Sequence, residues 1–147
     1  MFIKGVEMSD GYRQQVTADG QCFVCGQLND TGLKAVFEID HENRKSCCRI
    51  VIPTGFQGWA DVVHGGIISS LLDEACIYAC QSEGRQFVTA ELTVKFRKPV
   101  TLGTELVVTG ELLEQRKRVW SASARLEVEG KVHAEATAKV FVLDEQL

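Results

Sequence analysis

The chain has 147 residues, enough for one domain with a sizeable core. Its 45% hydrophobic and 24% charged residues are those of an ordinary soluble globular protein, and a formal net charge of -4 gives no footprint for nucleic acid or an anionic membrane surface. Lys4, Glu7, Asp10, Arg13 and Asp19 interrupt the first twenty residues, so no apolar run remains for a signal peptide or a membrane span, and a cytoplasmic location is the expectation.

Residues 1–20 carry no clear period and read as an N-terminal arm ahead of a single domain over 21–147. Cys22-Phe23-Val24-Cys25-Gly26 follows, with turn signals at Asn29 and Thr31-Gly32. A C-x-x-C pair invites zinc, but a tetrahedral site wants four ligands and no second C-x-x-C exists. Cys47 and Cys48 are adjacent on a predicted strand and so point to opposite faces. No thioredoxin-like βαβ pattern surrounds the first pair, so packing at the chain entry is the expected role and no metal is expected. With ample core residues the chain needs no disulfide staples, and all six cysteines are expected reduced.

Leu33 to Asp40 alternates, with Leu33, Ala35, Phe37 and Ile39 on one face, which predicts a strand. The polar run His41 to Lys45 predicts a hairpin loop, and Cys48, Ile50 and Ile52 alternate again up to Pro53. A loop over Thr54 to Val63, with Gly55, Gly58 and Trp59, delivers the chain to His64.

His64 to Ser82 opens on a His-Gly-Gly turn and then predicts one helix of about five turns, roughly 28 Å long. Ile67, Ile68, Leu71, Leu72, Ala75, Cys76, Ala79 and Cys80 recur at steps of three and four, while Ile77 and Tyr78 extend the apolar surface to other faces. A helix apolar nearly all round is a buried one. Yet Asp73 and Glu74 sit in its middle, about 100° apart around the axis, so at least one carboxylate faces something special. Gly84 marks the predicted end.

Four strand candidates follow: Val88 to Phe96, Thr104 to Glu114 after a turn at Gly103, Val119 to Val128, and Val132 to Val142 after a Glu129-Gly130-Lys131 hairpin turn. Two strands, one long buried helix and four antiparallel strands are an α+β order, unlike the alternation of a parallel sheet. Ala122, Ala124, Ala134, Ala136 and Ala138 make a shallow patch on neighbouring strands, and the helix is the element long enough to lie on it. The sheet should therefore wrap around the helix.

Several features occur together: His64-Gly65-Gly66, an acid at Asp73 nine positions on, the strand Thr89 to Phe96 ending at Arg97-Lys98-Pro99, and alternating C-terminal strands. In this the chain resembles the hotdog-fold acyl-CoA thioesterases of the phenylacetate (PaaI-like) type, over about residues 21 to 143. Cys22 to Gly26 with Asn29 and Gly32, and Phe56-Gln57-Gly58-Trp59, resemble a common subgroup. The resemblance implies a curved antiparallel sheet around one central helix, and hydrolysis of an acyl-CoA thioester by a homodimer or tetramer with active sites between subunits. It implies no cofactor. Asp73 matches the family's catalytic carboxylate, either general base or nucleophile. Gly65 matches the residue whose N–H binds the thioester oxygen. Thr89 matches a hydroxyl that reaches the site from the partner subunit in some relatives. His64 is implied as a structural or positioning residue, with Gly66 and Gln57 beside the substrate. Some relatives carry an Asn six residues before the His, where this chain has Gly58.

The residue chemistry suits those roles. A Gly-Gly turn at a helix N-terminus offers unpaired N–H groups and the positive end of the helix dipole. Such a donor contributes a few kcal/mol to an oxyanion transition state. Burial raises a carboxylate's pKa toward the working pH, as a base requires. The CoA phosphates have no Gly-rich loop to receive them, which leaves Arg97, Lys98, Arg116, Lys117 and Arg118 as contacts. Three other readings stay open: an acyl-CoA binding protein without turnover on the same fold, hydratase or dehydratase chemistry, and a Cys76–His133 nucleophile.

Overall fold

Helix α1 spans Gly65–Gln81, and its buried residues, Ile68, Leu71, Leu72, Ala75, Cys76, Ala79 and Cys80, follow the predicted stripe. The computed structural model describes residues 18–81, 83 and 86–143; Ser82, Gly84 and nearly all of the expected arm over 1–20 lie outside these. Six strands accompany the helix: β1 (Glu38–Asp40), β2 (Lys45–Val51), β3 (Phe87–Phe96), β4 (Glu105–Arg116), β5 (Val119–Val128) and β6 (Lys131–Val142). They form one antiparallel sheet in the order β1-β2-β4-β5-β6-β3.

The alternation read from the sequence is the alternation of the sheet. On β5, Trp120, Ala122, Ala124 and Leu126 are buried, and on β6 Ala134, Ala136, Ala138 and Val140. The alanines lie in register, Ala122 opposite Ala138 and Ala124 opposite Ala136. The same row of small residues continues to Gly110 on β4 and Ser46 on β2. There the helix comes closest: a Cβ on Gly110 would sit 2.1 Å from the carbonyl oxygen of Ala75. The Ser46 hydroxyl donates to that same oxygen at 2.7 Å, which satisfies a buried polar side chain. The hairpin between β5 and β6 turns through Glu129 and Gly130, both at positive φ (51 and 78), the backbone of a type I′ turn.

One predicted strand is shorter than its pattern. Leu33 to Asp40 alternates, but only Glu38–Asp40 joins the sheet. Lys34 takes φ 52, which breaks an extended run, and the N–H groups of Leu33 and Ala35 donate instead to the carbonyls of Phe23 and Val24, each at 2.8 Å. Leu33 and Ala35 still enter the core, so burial, not sheet pairing, produced the alternation. All six cysteines are free. No helix among the described residues is long and apolar enough to cross a membrane.

Candidate active site

The His-Gly-Gly turn starts α1 in a way that leaves one amide over. A helix N-terminus has four N–H groups without intrahelical acceptors. The Ile68 N–H makes the first regular helix bond, to the His64 carbonyl at 3.2 Å, and the Ile67 N–H shares that acceptor at 2.9 Å. That of Gly66 donates to the His64 ring nitrogen Nδ1 at 2.8 Å. The N–H of Gly65 then has no acceptor among the described residues. Nor does packing demand a glycine at 65, where an added Cβ would stand 3.5 Å from the Phe96 ring, an ordinary contact. A Cβ on Gly66 would meet His64 Nδ1 at 3.0 Å, so that glycine accommodates the cap.

The loop before the helix is held by its own hydrogen bonds. Gly58 N–H donates to Val62 O at 2.8 Å, His64 N–H to Phe56 O at 3.1 Å, and the Gln57 side chain accepts from Asp61 N–H at 3.4 Å. Gln57 thus braces the loop. Gly58 packs on His64, whose Cα would lie 3.2 Å from an added Cβ, which leaves little room for the Asn that some relatives carry there. Gly58, Trp59, Val63, His64 and Gly65 line a cleft of about 340 Å3, and the Trp59 indole beside it is 85% exposed. A larger groove of about 800 Å3 crosses the sheet on the face away from the helix, among Lys45, Thr109, Ser123, Arg125 and Thr137, and takes in none of the predicted site residues.

Asp73 is half-buried in the middle of α1. The Thr89 hydroxyl of the same chain donates to its carboxylate at 2.5 Å. Burial pushes the Asp73 pKa up, and the Thr89 bond opposes the rise. Glu74 is also half-buried but faces elsewhere, towards Cys22, whose thiol lies 3.8 Å from its carboxylate. Burial raises its pKa as well, with the charge of Asp73 adding to the rise. Burial, with Glu74 alongside, pushes the Cys25 thiol up to about 12, so Cys25 by itself is no ready thiolate.

The predicted site residues do not all gather in one chain. Gly65 and Asp73 are eight positions apart on one helix, about 12 Å along its axis. A single thioester must set its carbonyl oxygen about 3 Å from the oxyanion donor while its carbon stays within direct or one-water reach of the activating group. The basic residues also divide. Arg97 and Lys98 follow β3 beside His133, whose carbonyl accepts both their N–H groups. Arg116 lies at the β4–β5 hairpin, beyond Val119, which pairs with Phe141. From Ala134 to Phe141 along β6 is about 23 Å, so one protomer cannot offer both groups to one phosphate. Arg97 also pairs with Glu135 at 3.0 Å, and Arg116 with Glu114 at 3.5 Å. Cys76 is wholly buried and its thiol raised by burial, while the His133 ring, near the start of β6, bonds Pro99 O at 3.0 Å, which brings no Cys–His pair together.

A central helix lying on one face of an antiparallel sheet of this order is the hotdog fold. Residues 60–135 match the Thioesterase superfamily model, and the chain belongs to that family. It is 28% identical to bovine (Bos taurus) acyl-coenzyme A thioesterase THEM4 over 129 residues, 86% of this chain and 53% of that protein, so it spans about half the length of that relative. It is 26% identical to mouse (Mus musculus) acyl-coenzyme A thioesterase 13 over 66% of this chain and 71% of that one. The solved structure of the E. coli PaaI protein superposes with a TM-score of 0.69 at 23% identity, covering 75% of this chain and 80% of that one, which places the fold with PaaI.

Proposed function

We propose that residues 21–147 form a thioesterase domain that hydrolyses an acyl-CoA ester to free acid and CoA. The observation that carries the reading is Asp73, a carboxylate withdrawn from water in the middle of an apolar helix and bonded to one hydroxyl. The names of the THEM4 and thioesterase 13 relatives supply the substrate class. In this reading a water oxygen attacks the thioester carbon while Asp73 takes its proton; direct attack by the carboxylate is the other route open to it. The developing oxyanion accepts from Gly65 N–H at the positive end of α1. The C–S bond breaks, and the CoA sulfur leaves with the proton from Asp73. Thr89 orients the carboxylate, and His64 fixes the turn that presents Gly65.

The 12 Å between Gly65 and Asp73 along α1 supports a site between subunits, with Gly65 of one protomer facing Asp73 of its partner in a homodimer or tetramer. The same arrangement lets basic groups from two chains meet one CoA. An exposed Trp59 and a 56% exposed Phe96 beside Gly65 fit the apolar wall that an acyl chain or a second protomer covers.

Thiol release from a panel of aryl and medium-chain acyl-CoAs, measured for wild type and Asp73→Asn, tests this. A fall in kcat of at least ~100-fold with the fold intact is expected for a lost acid–base group. Undiminished turnover in the variant would remove Asp73 from the mechanism and turn attention to Glu74. Saturable binding without turnover of any ester would make the protein an acyl-CoA binder.

A further inference from the structure

Cys22, Cys25 and Glu74 come together although fifty-two positions separate Cys22 from Glu74, and their ligand atoms all lie within 4.8 Å of one another. The sequence offers only a C-x-x-C pair and no further ligand at a recognisable spacing. The third is supplied by the fold, because the loop over 20–35 packs against the face of α1 that carries Glu74. We propose that this triad binds a borderline-soft divalent metal ion, with Zn2+ as the fitting species, through two thiolates and one carboxylate with water in the fourth position.

The dimensions suit the ion. Tetrahedral zinc bonds of about 2.3 Å to sulfur and 2.0 Å to oxygen put ligand sulfurs about 3.8 Å apart and a sulfur about 3.5 Å from a ligand oxygen. Cys22 Sγ is 3.8 Å from Glu74 Oε2 and no pair of the three ligand atoms exceeds 4.8 Å, so a contraction of at most about 1 Å brings them to zinc spacing. The loop is also preset. Val24 N–H points at Cys22 Sγ at 3.4 Å, and Gly26 N–H closes the turn onto Cys22 O at 2.8 Å. A side chain at Gly26 would strike backbone atoms at 2.4 and 2.5 Å, so the turn that brings the two sulfurs together requires glycine there. Leu33 and Ala35 fasten the outer edge of the loop through Phe23 O and Val24 O. Tyr78, one turn beyond Glu74, is stacked on Phe37 at 4.8 Å, which fixes the helix face that carries Glu74. Bound metal would tie the loop to the helix next to Asp73. It would neutralise the crowding of three groups that all become anionic as ligands.

The test uses the full reduced chain dialysed against Zn2+, followed by metal analysis, and Co2+ loading followed by absorption spectroscopy. One equivalent of zinc per chain is expected, with sulfur-to-cobalt charge-transfer bands from two thiolates. Uptake should weaken at least ~100-fold in Cys25→Ser and at least ~10-fold in Glu74→Gln, since each removes one of three protein ligands. Uptake below about a tenth of an equivalent by wild type would overturn the proposal, as would cobalt spectra without thiolate bands. Undiminished uptake in a Cys22→Ser/Cys25→Ser double variant, or a Cys22–Cys25 disulfide in the native protein, would overturn it too. The cobalt spectrum of wild type decides the matter even if a variant fails to fold.

Discussion

The His64 ring nitrogen accepts the Gly66 N–H at 2.8 Å while the His64 carbonyl accepts Ile67 and Ile68, so one residue holds three amides of the first turn of α1 and leaves that of Gly65. Removing the ring frees a second amide and unfastens the helix start. His64→Ala should lower the unfolding free energy by about 1 kcal/mol, and His64→Asn, whose side chain caps in the same way, should recover most of it. Urea denaturation of the three proteins checks this; equal loss in the Ala and Asn variants would mean the ring packs rather than caps.

Thr89 and Asp73 allow a second test. Burial raises the Asp73 pKa and the Thr89 hydroxyl holds it back by stabilising the ionised form. Thr89→Val keeps the shape and removes that bond, so the pKa should rise further and the acid limb of the kcat/KM profile should move to higher pH. Thr89→Ser should leave the limb in place. An unmoved limb in Thr89→Val would show that the hydroxyl does not act through Asp73.

How much was legible in the sequence depended on which force wrote each pattern. Burial writes a period, so the stripe from Ile68 to Cys80 and the alternating strands β4 to β6 could be read directly. Backbone pairing writes none, which is why Leu33 and Ala35 looked like strand residues while bonding to the 23–24 loop. Asp73 stood out as an acid on an apolar helix. Residue types alone do not separate Gly65 from Gly66, and Gly65 is named only through the family resemblance; that its N–H is the one His64 leaves without an acceptor is a feature of the folded turn. Glu74 beside Cys22 and Cys25 was out of reach, since nothing in local spacing announces a contact across fifty-two positions. Gly110 carried a weak signal: a glycine inside a strand pattern marks a close backbone approach.

That approach is the third test. A methyl at Gly110 would lie 2.1 Å from Ala75 O and 2.7 Å from Ser46 Oγ, against helix backbone that cannot step aside alone. Gly110→Ala should therefore destabilise by about 3 kcal/mol or more, at the upper end for overpacking. Ser46→Ala, which only removes the 2.7 Å bond to the same carbonyl, should cost about 1 kcal/mol. Denaturant midpoints rank the two; a neutral Gly110→Ala would mean the helix can lift off the sheet.

Trp59 offers a contrast between stability and function. Its indole is 85% exposed, so Trp59→Ala removes little buried surface and should change stability by less than about 0.5 kcal/mol. If acyl group or partner covers it, the variant should raise KM several-fold or shift the sedimentation coefficient towards a smaller species. Unchanged KM and unchanged assembly would leave the indole idle.

Asp73 ties stability to catalysis through pH. Its folded-state pKa lies above the ordinary 3.8, so between the two values the folded chain keeps a proton that the unfolded chain has released. Folding stability therefore falls as pH rises through that window, is fully restored below the unfolded value, and is reduced by the full penalty above the folded one. Asp73→Asn cannot ionise and still accepts the Thr89 hydroxyl through its amide oxygen. The variant should be more stable than wild type at pH 7 while being far less active, and the difference should shrink towards zero as pH falls to about 4. Glu74, whose carboxyl the Asp73 charge also pushes up, titrates more easily in the variant, so the change in the difference reports Asp73 together with its coupling to Glu74. Paired denaturation curves at the two pH values measure it. A difference that stays constant with pH would mean the Asp73 carboxylate pays no burial penalty when ionised, and so is not a base raised towards working pH by its surroundings.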